Sequence, residues 1–285
     1  MLITGRQILE HAEKNRYAVG AFNVNNMEIV QAIIEAAEET GSPVILQASQ
    51  GALKYAGIEY ISAMAKVAAE NASVPVALHL DHGTDFKQIM MCLRYGFTSV
   101  MIDASKYSLE ENIKITKKIV DISHTVGVSV EAELGKIGGT EDDISVDERD
   151  ATMTDPEEAV RFVKETGLDS LAIAVGTAHG PYKGEPKIDF DRIKSIKEKV
   201  SIPLVLHGSS GVPESSIKKA IENGINKINI DTDIRMSFNN AVREFVKNNP
   251  SVYDPRKLLG PGREAAKKVI AEKMIMFGSS NKAWK

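Results

Sequence analysis

The chain has 285 residues, of which 43% are hydrophobic and 26% charged, and its formal net charge is −4. These values are ordinary for a globular protein and argue against a disordered chain. The charge, with no block of basic residues, argues against nucleic acid as the main partner. The single cysteine, Cys92, excludes an internal disulfide framework and cysteine-based zinc sites.

The sequence contains no membrane or targeting signal that we recognise. No apolar stretch approaches the roughly 20 residues of a bilayer span, which argues against a membrane partner. Residues 1–6 lack the basic-then-apolar order of a signal peptide. We therefore expect a cytoplasmic enzyme.

Short apolar runs alternate with amphipathic helical patterns along the chain. Most runs are continuous Val, Ile, Ala and Leu, as expected for parallel strands covered on both faces. Eight strands are predicted at residues 17–22, 43–47, 74–80, 99–103, 127–134, 170–175, 203–207 and 227–231. Helices are predicted at residues 26–39, 58–70, 85–94, 109–124, 156–165, 190–199, 213–223 and 233–247, with a further one at about 262–277.

Eight strand–helix units predict one (β/α)8 barrel domain over residues 1–285, with an extra C-terminal helix. A doubly wound open sheet is the alternative. Two connections are long, at residues 135–154 after the fifth strand and 176–189 after the sixth. In a barrel both lie on the rim where active sites are built, and long loops there are usually functional. The glycines of the first loop would let it move as a lid.

Three histidines, His82, His179 and His207, follow predicted strands and open into short polar or glycine-rich loops. Three imidazoles that converge on one point are the usual way to hold a catalytic zinc ion with one open coordination position. Asp81 precedes His82, and it could exchange protons with a substrate hydroxyl or carbonyl group, or simply orient the histidine. His79 shares a strand face with Asp81, so we expect it to play a supporting role.

Buried acids accompany these histidines. Glu131 and Glu133 lie on one face of the fifth strand, and Asp103 ends the fourth. Carboxylates within a strand are costly unless paired or metal-bound, so these acids either hold a second metal or compensate basic residues. The acids of the first long loop are either solvated or available as a base once the loop closes; they are Glu141, Asp142 and Asp143.

Two loops are candidates for phosphate binding, which requires backbone N–H groups, hydroxyls and cations. Residues 207–211 follow the seventh strand and residues 229–232 follow the eighth, the positions of the recurring phosphate site of barrel enzymes. Lys183 and Arg256 are candidate cations for a second phosphate, with exposed salt bridges as the alternative.

Together these segments resemble the class II, metal-dependent fructose-bisphosphate aldolases, and the related tagatose-bisphosphate aldolases are nearly as close. The matching blocks follow the family's order and, with the region around Arg256, cover nearly the whole chain. They are YAVGAFN (17–23), HLDHG (79–83), SVMIDAS (99–105), VEAELG (130–135), GGTEDD (138–143), HGPYKG (179–184), LHG (206–208) and NIDT (229–232).

The resemblance implies a metal-dependent aldolase of glycolysis and gluconeogenesis. Such an enzyme reversibly cleaves fructose 1,6-bisphosphate to dihydroxyacetone phosphate and glyceraldehyde 3-phosphate through a zinc-stabilised enediolate. It implies catalytic zinc on His82, His179 and His207, and a second or displaced divalent metal at Asp103 and Glu133. A monovalent cation, Na⁺ or K⁺, and assembly as a homodimer or homotetramer are also family properties.

The resemblance also implies roles for the remaining site residues. Asp81 would be the acid/base at the C4 hydroxyl, Glu141 would transfer a proton at C3, and Asn229 would donate a hydrogen bond to the enediolate. Ser49 would contact the glyceraldehyde 3-phosphate half, and Arg256 would reach into a neighbouring subunit's site. The triose phosphate would be held by Gly180, Gly208, Ser209, Ser210, Asn229, Asp231 and Thr232, and the monovalent cation would lie near Gly180 and Gly208.

Alternatives remain open at the level of sequence. Ser209 stands where many fructose-bisphosphate aldolases have glycine and tagatose-type relatives often have alanine, whereas Lys183 favours fructose. A Schiff-base aldolase needs a lysine at the C-terminal end of a barrel strand, but Lys227 lies at the start of the eighth strand. A barrel metal hydrolase would be expected to carry His-x-His after the first strand, which is absent here. A non-enzymatic sugar-phosphate-binding protein would gain little from so many ionisable groups at one rim.

Overall fold

The computed structural model describes residues 1–141, 144–147, 151–182 and 184–284. Its strands are β1 (Val19–Asn23), β2 (Val44–Ser49), β3 (Val76–Gly83), β4 (Ser99–Ile102), β5 (Ser129–Leu134), β6 (Gly138–Glu141), β7 (Ile144–Val146), β8 (Ser170–Ile173), β9 (Ala178–His179), β10 (Leu204–Leu206) and β11 (Ile225–Ile230). Eight of them are parallel and close into a barrel in the order β1-β11-β10-β8-β5-β4-β3-β2. The predicted (β/α)8 class is therefore confirmed, and the open doubly wound sheet is excluded.

Helices cover the outside of the barrel. They are α1 (Gly5–Lys14), α2 (Met27–Thr40), α3 (Gln50–Ala56), α4 (Ile58–Asn71), α5 (Phe86–Arg94), α6 (Leu109–Thr125), α7 (Pro156–Thr166), α8 (Phe190–Lys199), α9 (Glu214–Glu222), α10 (Thr232–Asn248) and α11 (Pro255–Met276). Polar side chains begin many of them, and Asn26, for example, accepts a hydrogen bond from Ile29 N at 3.0 Å at the start of α2. None of the helices in the described ranges is long and apolar enough to cross a membrane.

The C-terminal helix starts earlier than predicted. We expected it at about residue 262, after a turn, but α11 begins at Pro255 and contains Pro261. Proline suits the first turn of a helix because that turn has no internal acceptor for its N–H group. Asp254 caps the helix by accepting a hydrogen bond from Arg256 N at 3.0 Å. The helix packs against α2 and α10 and so joins the two ends of the barrel wall.

The two long rim connections contain strands that the sequence analysis did not predict. β6 pairs with β7 in antiparallel fashion and with β9 in parallel fashion, which makes a small three-stranded sheet above the barrel. His179 lies in β9, six residues beyond the end of β8, and Gly139 is its partner in β6. The first long loop therefore positions the second, rather than forming only an open lid.

The barrel interior changes from apolar to polar towards the rim. At the N-terminal end, Val19, Ala21, Ile45 and Ala77 pack under α1 in an apolar cluster. Closer to the rim the inward positions carry charge and amide groups, which contact one another across the barrel. Because β3 and β11 are separated by two strands in the barrel order, contacts between their side chains locate those side chains in the interior.

Candidate active site

The three predicted histidines converge at the C-terminal rim. His207 Nδ1 lies 2.8 Å from His82 Nε2, and the ring centroids of His82 and His179 are 4.9 Å apart. Each histidine offers one nitrogen atom such that the three atoms lie within 4.8 Å of one another. Zinc bound at about 2.0–2.1 Å by three imidazoles requires separations in this range. The structure brings the three predicted histidines together, and their arrangement fits a metal ion.

The donor chemistry of the cluster also fits a metal. Burial lowers the pKa of His207 below its ordinary value, with a hydrogen bond from its ring to Glu131 acting in the opposite direction. A neutral imidazole is the form that binds metal, so this environment favours binding. His82 has a φ of 47°, which is uncommon for a residue with a side chain. Such strain clusters at functional sites.

A second group of ligands shares His82. Its Nδ1 lies 3.1 Å from Asp103 Oδ2, and Glu133 completes a set of three whose ligand atoms also lie within 4.8 Å of one another. Burial raises the pKa of Glu133 well above its ordinary value, and the charge of Asp103 raises it further. Glu133 Oε2 is buried and lacks a hydrogen-bond partner among the described residues. An oxygen in that state fits a cation ligand, as predicted for a second metal position.

Asp81 is buried in a cage of side-chain amides. Its Oδ2 accepts hydrogen bonds from Asn23 Nδ2 at 3.2 Å and Gln47 Nε2 at 3.1 Å, and its Oδ1 accepts one from Asn229 Nδ2 at 3.2 Å. Gln47 also donates to Asn23 Oδ1. These donors fix the carboxylate of Asp81 beside His82. The position of the Asp81 carboxylate is therefore set by these three amides.

A polar cleft adjoins the histidines. It contains all seven residues predicted to hold the triose phosphate, and Thr140 and Arg235 complete its lining with His179; the seven are Gly180, Gly208, Ser209, Ser210, Asn229, Asp231 and Thr232. The N-terminus of α10 opens into the cleft at Thr232. Free N–H groups and the helix dipole make such a terminus a natural phosphate site. The structure thus brings the seven predicted residues together at one cleft, and Arg235 adds a cation.

Two glycines allow the loops to approach each other. Gly208 has a φ of 64°, and a Cβ there would lie 2.5 Å from the Ala178 carbonyl oxygen. Gly139 has a φ of 99°, and a Cβ there would lie 2.2 Å from the His179 carbonyl oxygen. The Tyr182 hydroxyl bridges the same loops, since it accepts from Ala178 N and donates to the Gly208 carbonyl, both at 2.7 Å.

Four predicted site residues either do not line this cleft or have side chains outside the part of the chain that the structure describes. Ser49 is buried at the end of β2, where it accepts a hydrogen bond from Ala52 N at 3.2 Å. Arg256 is 89% exposed and pairs with Asp254 at 2.8 Å, so it contributes nothing to this chain's own cleft. The backbone of Glu141 lies in β6, but its side chain falls outside the description, as does all of Lys183.

Sequence analysis missed several residues of the site. Asn23 and Gln47 are polar residues near the C-terminal ends of apolar strands, which was a usable signal. Arg235 follows Asp231 by four residues and pairs with it at 2.7 Å, a spacing that the start of a helix makes predictable. Lys227 was placed on the opposite rim, but its buried ammonium group lies in the barrel interior, 2.8 Å from Glu131 Oε2. This position puts it beneath the site rather than in the cleft.

Comparisons with known proteins agree with this geometry. Residues 3–282 match the family described as fructose-bisphosphate aldolase class-II. The chain is 50% identical to a fructose-bisphosphate aldolase of Thermus caldophilus, over 99% of this chain and 100% of that protein. It is 46% identical to a sulfofructosephosphate aldolase of Alkalicoccus urumqiensis, over 99% of this chain and 98% of that protein.

Solved structures show the same relationship. The crystal structure of the YdjI aldolase from Escherichia coli K12 superposes with a TM-score of 0.87 at 40% identity, covering 100% of both chains. A fructose-bisphosphate aldolase from Campylobacter jejuni gives a TM-score of 0.84 at 28% identity, over 99% of this chain and 97% of that one. A match over nearly the full length, with the barrel and its rim histidines in place, shows that the chain belongs to the class II fructose-bisphosphate aldolase family and is an aldehyde-lyase acting on a phosphosugar.

Proposed function

We propose that this enzyme reversibly cleaves fructose 1,6-bisphosphate to dihydroxyacetone phosphate and glyceraldehyde 3-phosphate, with zinc as its catalytic metal. The observation that supports this most strongly is the convergence of His82, His179 and His207 beside a caged aspartate and a polar cleft. When bound there, zinc supplies Lewis-acid stabilisation of the enediolate charge that cleavage leaves on the triose half. Its place is the cytoplasm, in glycolysis and gluconeogenesis.

The proton transfers belong to the side chains of the chain. Asp81 accepts the C4 hydroxyl proton, the C3–C4 bond breaks as the C4 carbonyl forms, and the electron pair stays on the triose half. Glu141 then returns a proton to C3. Asn229, which donates to Asp81 at 3.2 Å, lies where its amide can also donate to the developing oxyanion. In the condensation direction the same groups work in reverse.

Substrate orientation comes from phosphate groups remote from the reacting bond. One phosphate binds at residues 208–210 and at the start of α10, where Arg235 lines the cleft. The other extends towards Ser49, Lys183 and the Arg256 of a neighbouring subunit. In the proposed homodimer or homotetramer, the exposed side chain of Arg256 would be covered by the neighbouring subunit. A monovalent cation near Gly180 and Gly208 would neutralise part of the first phosphate.

A second metal position at Asp103 and Glu133 is part of the proposal. His82 presents Nε2 towards His207 and Nδ1 towards Asp103. The two ligand groups therefore lie on opposite edges of one imidazole ring, and a metal displaced from the three histidines could be held on the other edge. Anomalous scattering from zinc-loaded crystals should then show partly occupied zinc at both positions, and Glu133→Gln should remove the one beside Asp103.

Tagatose 1,6-bisphosphate is the alternative substrate, because Ser209 departs from the glycine of many fructose enzymes and lines the cleft. Cleavage of fructose 1,6-bisphosphate and tagatose 1,6-bisphosphate should be measured in parallel, each with and without prior dialysis against a chelator. The sulfonated ketose phosphate suggested by one relative's name makes a third arm. We expect chelator-sensitive cleavage that favours fructose. Activity that survives prolonged dialysis would refute the metal mechanism, and a preference for either other sugar would reassign the substrate.

A further inference from the structure

A chain of buried polar side chains lies one layer below the histidine cluster. Lys227 Nζ lies 2.8 Å from Glu131 Oε2 and 3.3 Å from His79 Nε2. His79 Nδ1 lies 2.7 Å from Ser99 Oγ, and Glu131 Oε1 lies 2.9 Å from His207 Nε2. All five residues are at most 6% exposed. The chain therefore runs through the buried interior of the barrel and ends on a histidine of the proposed metal site.

The chemistry of lysine fixes the protons along this chain. An ammonium group has three donors and no acceptor, so both of its neighbours accept. His79 then carries its proton on Nδ1 and donates it to Ser99, while its Nε2 accepts from Lys227. The carboxylate of Glu131 accepts from Lys227 through Oε2 and from His207 Nε2–H through Oε1. Under this assignment each of these four contacts joins one donor to one acceptor.

One consequence reaches the metal site. With its Nε2 protonated, His207 keeps an unprotonated Nδ1, and this is the nitrogen that lies 2.8 Å from His82 Nε2. The lone pair of His207 thus points into the cluster. The opposite tautomer would place an N–H group at the position of the metal.

We infer that Lys227 and Glu131 are positioning residues that hold His207 in the tautomer whose Nδ1 is free to bind the metal. The inference rests on the proposed metal site, but the tautomer can be measured without metal. It also explains why a lysine is buried inside the barrel of this enzyme. Outer groups that fix ligand tautomers in this way typically change metal affinity by about 10–100-fold when removed.

Glu131→Gln tests the inference because it should move the His207 proton from Nε2 to Nδ1. An amide has one oxygen, for which Lys227 and His207 compete. We expect Lys227 to donate to this oxygen rather than His207. A buried ammonium group without any acceptor costs more free energy than a neutral imidazole without one. The amide NH₂ then faces His207 Nε2, which must accept, so the His207 proton moves to Nδ1. Adding Lys227→Met removes the competitor and lets the amide oxygen return to His207.

The experiment compares the wild type, Glu131→Gln and the double variant. In metal-free protein with ¹⁵N-labelled histidine, imidazole nitrogen shifts report the His207 tautomer, and the loss of its signals in His207→Gln assigns them. Competition with a chelator measures zinc affinity on the same samples. Thr166→Val is the matched control, since it removes a buried hydroxyl in α7 whose hydrogen-bond acceptor among the described residues is the Phe162 carbonyl, away from the site.

We expect an Nε2–H tautomer in the wild type, an Nδ1–H tautomer with about 10–100-fold weaker zinc binding in Glu131→Gln, and recovery of both in the double variant. A general loss of folding would make the double variant worse than the single one. The inference is overturned if Glu131→Gln keeps the Nε2–H tautomer, or if Lys227→Met does not restore it. Should the wild type show the Nε2–H tautomer but bind no zinc, the proposed function fails and the positioning assignment stands.

Discussion

Replacing Asp81 by Asn separates its chemistry from its structural role. The substitution preserves shape but removes the base. The new amide can turn its oxygen towards Asn23 and Gln47, which share one carboxylate oxygen in the wild type. Its NH₂ group then opposes the NH₂ of Asn229, so one hydrogen bond of the three is lost. One stranded buried donor costs about 1–3 kcal/mol of folding stability.

The effect on turnover should be much larger than this structural effect. A positioned acid/base contributes about 10²–10⁴-fold to rate, or about 3–5 kcal/mol of the activation barrier at 1.36 kcal/mol per factor of ten. We therefore expect kcat for cleavage of fructose 1,6-bisphosphate to fall 10²–10⁴-fold while zinc stays bound. The assay is coupled detection of triose phosphate, with zinc content measured on the same preparation.

The control for this experiment is Asp85→Ala. Asp85 lies four residues further along and caps α5, where it accepts hydrogen bonds from Lys87 N and Gln88 N. Loss of a cap costs about 1 kcal/mol of stability but removes no group of the site. Turnover should stay near that of the wild type. If Asp81→Asn retained more than about a tenth of wild-type turnover, or lost its zinc in proportion to its activity, the acid/base role would be refuted.

Three further predictions concern the histidines. His207→Ala should weaken zinc binding by more than about 100-fold, measured by zinc retained after dialysis, and retention equal to the wild type would exclude His207 as a ligand. Gly139→Ala should weaken zinc binding because its Cβ would lie 2.2 Å from the His179 carbonyl oxygen. The control is Gly127→Ala, because Gly127 has a similar positive φ of 72° and open space around its Cβ; this variant should lose only folding stability. Equal zinc affinities of the Gly139→Ala and Gly127→Ala variants would contradict the role of β6 in placing His179. Burial and then Lys227 hold the pKa of His79 well below its ordinary 6.5, so unfolded His79 binds a proton below pH 6.5 that folded His79 does not. The contribution of His79 to the free energy of unfolding is therefore fully present above pH 6.5. Below pH 6.5 it decreases by about 1.4 kcal/mol for each unit by which the pH falls. His79→Gln should remove that part of the slope in urea unfolding of metal-free protein, and an unchanged slope would refute it.

The strands and the histidine cluster were predictable because their signals are local. Parallel strands buried on both faces read as apolar runs, and a histidine at the end of such a run can only lie near the rim. All eight barrel strands were found within about three residues of their predicted bounds. The small sheet of β6, β7 and β9 was not found, because its strands have two to four residues and no apolar run of their own.

The contacts that cross the barrel could not be read from the sequence. The pairing of Lys227 with Glu131 joins residues 96 positions apart, and nothing local to either residue indicates the other. From the sequence, Lys227 was assigned to the rim opposite the active site because it lies at the start of its strand. Because barrel strands are staggered, Lys227 instead pairs in register with Val19 and Val205 and lies level with Glu131.

Charge balance inside the barrel explains why this layer is built as it is. The proposed metal site gathers cationic charge, and three acids already lie beside its histidines, namely Asp81, Asp103 and Glu133. If Glu131 alone oriented His207, one more carboxylate would be buried near them without a cationic partner, at high cost. Lys227 balances the charge of the Glu131 carboxylate and can only donate hydrogen bonds to it. Glu131 can therefore orient His207 without adding net charge to the barrel interior. Lys227→Met alone should therefore damage folding more than Lys227→Met combined with Glu131→Gln, because only the single variant leaves a buried charge unpaired.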